Sequence, residues 1–136
     1  VGTRVRRERT AALIEAGVPA IHQAAIAAPP FAGIADFLLR ADLARNLFAP
    51  RTTPFPSLPD PRRYVVVEVK LAAAPRAAYA VQAGCYARAT WAADKARLGS
   101  DVPAPEGVVL WLGGGEAERP ERAARWVGFG ELDLDL

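Results

Sequence analysis

The chain of 136 residues has one cysteine, one histidine and no methionine. A single cysteine, Cys85, excludes an intrachain disulfide framework, a cysteine-based zinc site and a four-cysteine iron–sulfur cluster built by this chain alone. It fits a reducing, cytoplasmic setting. No apolar run approaches the roughly 20 residues that span a bilayer, and no signal peptide is visible, so no membrane association is expected. The lack of any methionine, the initiator included, is what a piece of a longer protein or a processed product would show. The formal net charge of +2 is too small to argue for nucleic acid by itself. It is uneven, with Arg4, Arg6, Arg7 and Arg9 at the start and Glu131, Asp133 and Asp135 at the end. Such runs are usually solvated faces.

What is present is enough for one domain with a core. Apolar residues make up 51% of the chain, and this length buries most of them in a single unit, residues 1–136. Arg4 to Ala16 reads as a helix stopped by Gly17. Ala20 to Ile26 reads as a first strand and Phe31 to Arg40 as a second, separated by Pro29-Pro30. Ala41 to Phe48 fits a short helix or a strand extension. Pro50, Pro54, Pro56, Pro59 and Pro61 then mark an insertion over residues 49–63, an excursion from the core without regular structure. Tyr64 to Lys70, with four valines, is the clearest strand. Ala77 to Leu98 reads as an alanine-rich helix ended by Gly99. Gly107 to Leu112 and Ala124 to Phe129 read as strands, with Gly113 to Gly115 as the turn between them. The step from the third strand through the long helix to the fourth should be a right-handed crossover, making those two strands parallel. The fold class is α/β, a mixed central sheet flanked by helices.

Three charged residues stand in apolar strands: Asp36, Glu68 and Lys70. Side chains alternate along a strand, so Glu68 and Lys70 share the face opposite Val65, Val67 and Val69. If the second and third strands pair, Asp36 stands beside Glu68. Two adjacent carboxylates repel, and one takes up a proton unless a cation lies between them. Magnesium or manganese, bound through oxygen, meets that need. Lys70 would then orient an attacking water or neutralise charge on a phosphate. The plainer alternative is an ion pair of Lys70 with either carboxylate. His22 is open to two readings, a further metal ligand or a hydrogen-bonded structural residue. Gln82 and Tyr86, four apart on the long helix, share a face that Tyr79 also joins. Their amide and phenol suit contacts to phosphate or bases, or form only a polar stripe. Cys85 reads as a small core residue.

Taken in order, Gly33-Ile-Ala-Asp36, Glu68-Val-Lys70 and Gln82-Ala-Gly-Cys-Tyr86 resemble the three motifs of PD-(D/E)xK nucleases of the RecB-like branch, in particular putative nuclease domains that accompany superfamily-1 helicases. His22 falls where an upstream histidine often precedes those motifs. The resemblance spans roughly residues 10 to 115. It implies a restriction-endonuclease-like core of helix, three strands, helix and strand. It implies that Asp36 and Glu68 bind Mg2+ or Mn2+ with the Val69 carbonyl and His22, that Lys70 assists the attacking water, and that Gln82 and Tyr86 hold the substrate strand or order the site. The implied activity is metal-dependent hydrolysis of DNA phosphodiester bonds, on single strands or duplex ends, in DNA repair or recombination beside a helicase. A catalytically silent module of the same fold, binding single-stranded DNA or a protein partner, is the alternative. Relatives that carry four cysteines for an iron–sulfur cluster differ from this chain, and no such cluster is expected.

Overall fold

The computed structural model describes residues 2–70, 77–112 and 124–132. Helix α1 (Thr3–Ala16) ends at Gly17, whose φ of 70° is left-handed and lets its N–H reach back to the carbonyls of Leu13 and Ile14. That geometry is why a glycine stands there. Strand β1 (Ala20–Ala28) and strand β2 (Phe31–Arg40) form an antiparallel pair, with Ala20 opposite Leu39 and Ala28 opposite Phe31. The segment that fitted either a helix or a strand extension is helix α2 (Ala41–Phe48). Strand β3 (Tyr64–Lys70), helix α3 (Ala77–Leu98), strand β4 (Gly107–Leu112) and strand β5 (Ala124–Gly128) follow, with a short 3-10 turn at Phe129–Leu132. The expected turn at Gly113 to Gly115 and the acidic Asp133 and Asp135 lie outside the described residues.

The five strands lie in sequence order, β1-β2-β3-β4-β5. Strand β2 runs antiparallel to β3, β3 parallel to β4, and β4 antiparallel to β5. The one parallel pair is the one joined through α3, since only a crossover of that length returns a chain in the same direction. The molecule is therefore α/β, a mixed five-stranded sheet with helices against it.

Two apolar clusters sit on opposite faces of this sheet. On one, Val66, Val108 and Leu110 pack with Leu38, Ile21, Ile14 of α1 and Ala80, Ala83 and Ala87 of α3. Alanine lets the long helix approach the strands closely, and the sheet's branched side chains fill the space. On the other, Val65, Val67 and Val109 pack with Ala41, Ala44 and Phe48 of α2. The proline-rich stretch has no helix or strand, as expected. It is not an excursion from the core, however: Phe55 and Leu58 pack on the α2 side, Phe55 meets Trp126 edge-on at 5.4 Å, and Thr52 Oγ1 accepts the Trp126 N–H at 3.1 Å. The prolines keep the stretch out of helix and sheet, and the apolar residues between them pack against the sheet. Among the described residues no helix is long and apolar enough to cross a membrane.

Candidate active site

The β2–β3 ladder runs from Arg40 opposite Tyr64 to Phe37 opposite Val67 and stops there. One residue further on, Asp36 and Glu68 would face each other. Their carboxylates take the place of the missing rungs. The Asp36 backbone N–H donates to Glu68 Oε1 at 2.9 Å, and the Val69 N–H donates to Asp36 Oδ2 at 2.8 Å. The side chain of each strand thus satisfies the backbone of the other, and the two carboxyl groups are locked together where the strands separate.

Glu68 is 3% exposed, though its strand is otherwise valine-rich. Burial pushes its carboxyl up to about 7, and the neighbouring Asp36 charge adds to this, while the Asp36 N–H and Lys70 pull the other way. The phenol of Tyr86 is likewise raised, by burial first and by the Glu68 charge second. The Glu68 shift is first an effect of burial and then of one acid set beside another.

Lys70 follows Glu68 by two residues and emerges on the α3 face. Its Nζ donates to Gln82 Oε1 at 2.7 Å and lies 5.3 Å from the centre of the Tyr79 ring. Gln82 Nε2 in turn points to the Tyr86 hydroxyl at 3.4 Å. The Tyr86 ring lies against β2 at Gly33, where a Cβ would collide with its Cε1. A glycine three residues before Asp36 is what admits the ring beside the carboxylates. The bond between Lys70 and Gln82 was not foreseen, because nothing in spacing tells which strand residue a helix side chain will reach.

The structure does not bring His22 to this cluster. His22 pairs with Phe37 across β1 and β2, and the two rings meet tilted at 41° with 5.0 Å between their centres. Phe37 packs on the α2 side, as does Val67, whereas Glu68 alternates to the other face. The cause is local. Gln23, opposite Asp36, has a φ of 54°, and the pairing is interrupted there. This left-handed residue breaks the alternation, so Ile21 and Ala24, three apart, bury on the same face and His22 turns away from it. Among the described residues, no group of three or more His, Cys, Asp or Glu lies close enough to hold one ion.

A second buried carboxylate is set among cations instead. Asp94, on α3, is 1% exposed and faces Arg63 at 3.5 Å and Arg97 at 3.1 Å. It also lies 3.4 Å from the Tyr64 N–H that it accepts. Its i,i+3 spacing with Arg97 is visible in the sequence, but Arg63 reaches it only through the fold.

No protein-family model, no curated protein and no solved structure matches the chain. The site is therefore read from its own chemistry.

Proposed function

We propose that this chain is a metal-dependent DNA nuclease domain with a restriction-endonuclease-like core, of the PD-(D/E)xK type and RecB-like branch. The observation that carries the reading is the interlocked Asp36–Glu68 pair, two acids side by side, with Lys70 next on the same strand face. The ordered motifs around Asp36, Glu68-Val-Lys70 and Gln82–Tyr86 support it, since all but His22 converge on one end of β3.

The donor set fits a hard divalent ion. Backbone N–H groups occupy one oxygen of each carboxylate, leaving Asp36 Oδ1 and Glu68 Oε2 as the remaining oxygen donors. Magnesium commonly binds through one or two carboxylates and keeps its other ligands as water, so a third protein acid is not required. Asp36 and Glu68 would hold the ion, together with the Val69 carbonyl. When bound, it supplies charge neutralisation on the scissile phosphate and a more acidic water. Burial of Glu68 keeps bulk water from competing for the pair. Lys70 presents a fixed positive charge to a phosphate oxygen or orients the attacking water, a role that ligation alone does not need. His22, on the other sheet face, is left out of the ligand set. The substrate is DNA, as single strands or duplex ends, and a helicase domain or subunit supplies unwound strand.

Incubation of labelled single-stranded and duplex oligonucleotides with Mg2+ or Mn2+ tests this directly. Cleavage should appear with the metal, vanish with chelator, and be lost in Lys70→Ala while circular dichroism remains that of the parent. Equal cleavage by Lys70→Ala, or no Mn2+ binding by calorimetry to the parent protein, overturns the reading.

A further inference from the structure

We infer that Gln82 is a positioning residue: it sets the Lys70 ammonium beside the carboxylate pair, and is itself set by Tyr86, rather than gripping the substrate strand. This deepens the nuclease reading and rests on it for the chemistry, but its geometry stands on its own.

Asp36 and Glu68 are held by backbone N–H groups and need no further orientation. Lys70 is different. Its flexible four-carbon stem loses rotamer entropy when it is held in one place, so a fixed ammonium needs an explicit partner. The partner is Gln82 Oε1 at 2.7 Å, within the range of a charge-assisted bond, and the Tyr79 ring 5.3 Å away restricts it further. A glutamine is suited to this because its amide has two unlike ends. The carbonyl accepts from the cation while the NH2 turns to the Tyr86 hydroxyl at 3.4 Å. Only this orientation of the amide makes both contacts attractive. Tyr86 in turn is pressed against Gly33 on the strand that carries Asp36. The relay therefore runs from β2 through Tyr86 and Gln82 to Lys70, and references the ammonium to the same strand that holds the first carboxylate. Tyr79, Gln82 and Tyr86 fall at successive turns of one helix face, so a single rigid element bears all three. Gln82 is exposed, so the core does not require it.

The chain has two lysines, Lys70 and Lys95, which makes each readable by its own signal in 15N NMR of lysine ammonium groups. In Gln82→Ala the order parameter of the Lys70 ammonium should fall to that of an unrestrained side chain, while Lys95, which lies over Trp91, is unchanged. In oligonucleotide cleavage with Mn2+, the same variant should lower kcat by about ten- to a hundredfold, as loss of an orienting outer-shell partner does, with KM within about twofold. Tyr86→Phe should lower kcat by about threefold, and Lys70→Ala/Gln82→Ala should be no slower than Lys70→Ala. A Lys70 ammonium equally ordered without Gln82, or a raised KM at unchanged kcat, overturns the inference. Absence of cleavage by the parent protein defeats the nuclease reading alone, and the NMR result still decides the positioning.

Discussion

The two ends of β3 each hold a buried carboxylate, and they are treated in opposite ways. At the Tyr64 end, beside an apolar cavity of about 360 Å3, Asp94 is enclosed by two guanidinium groups and accepts a backbone N–H. Burial still raises its carboxyl, but Arg63 and Arg97 oppose the shift. Arg97 also donates to the Arg62 carbonyl at 2.7 Å and lies 5.6 Å from the Tyr64 ring. Such a network ties α3 to the start of β3 and to the loop before it. At the Lys70 end, Glu68 has another acid for its nearest charged neighbour and an ammonium that is already bonded to Gln82. In the first arrangement the acid is met by two cations, although Arg97 Nε is buried without a hydrogen-bond partner among the described residues. The second sets one acid against another, and Lys70 offsets the rise of the Glu68 carboxyl only in part.

That contrast is sharpest in activity. Asp36→Asn and Glu68→Gln should each lower metal-dependent cleavage by about a thousandfold or more, the scale on which removal of a principal electrostatic stabiliser acts, whereas disruption of the Asp94 cluster should act only through stability. Oligonucleotide cleavage at a temperature where every variant is folded makes that comparison. Next in size is stability. Asp94→Ala takes the carboxylate from two part-buried guanidinium groups and from the Tyr64 N–H, and should cost about 3–5 kcal/mol in urea unfolding, while Glu68→Gln should cost far less in the metal-free protein. If Asp94→Ala is as stable as the parent, the division between a structural and a functional carboxylate collapses.

The pH dependence separates the two ends further. Glu68 ordinarily titrates at 4.5 and is held at about 7 in the folded chain. The folded state therefore binds more protons than the unfolded state across that window, and stability falls as pH rises from 4.5 toward 7. The full penalty is about 3 kcal/mol. The difference in unfolding free energy between the parent and Glu68→Gln, measured without metal at a series of pH values, should trace this decline and level off above 7. A difference that is flat with pH would show that the Asp36 N–H and Lys70 offset the burial of Glu68 fully. Smallest is the metal's own effect on folding. Mn2+ at a hundred times its dissociation constant should add about 2.7 kcal/mol to the parent, seen as a thermal shift that is absent in Asp36→Ala and retained in His22→Ala. A shift lost in His22→Ala would return the histidine to the ligand set.

Much of this was legible in the chain, and for definable reasons. Glycine at 17 and the valine run at 64–70 mark boundaries because their backbone preferences are strong and local. Alternation along β3 placed Glu68 and Lys70 on one face without any knowledge of the rest. The antiparallel step from β2 to β3 brought Asp36 to Glu68. His22 was less readable because a single left-handed residue, Gln23, reverses every face assignment beyond it, and no spacing announces that. The proline-rich stretch was misjudged as an excursion, because proline content reports on backbone regularity and says nothing of whether Phe55 and Leu58 find a surface to bury against.

The sequence by itself determined the element order, the charged positions within apolar strands and the helix face shared by Tyr79, Gln82 and Tyr86, because these follow from interactions a few residues long. Only the tertiary structure decided that two carboxylates replace a pair of ladder bonds, that Gln82 reaches Lys70, that His22 faces the other way and that Asp94 is neutralised by Arg63. Each of those depends on where the strands part and how α3 lies across them. That placement comes from packing two apolar faces at once, which no local pattern encodes.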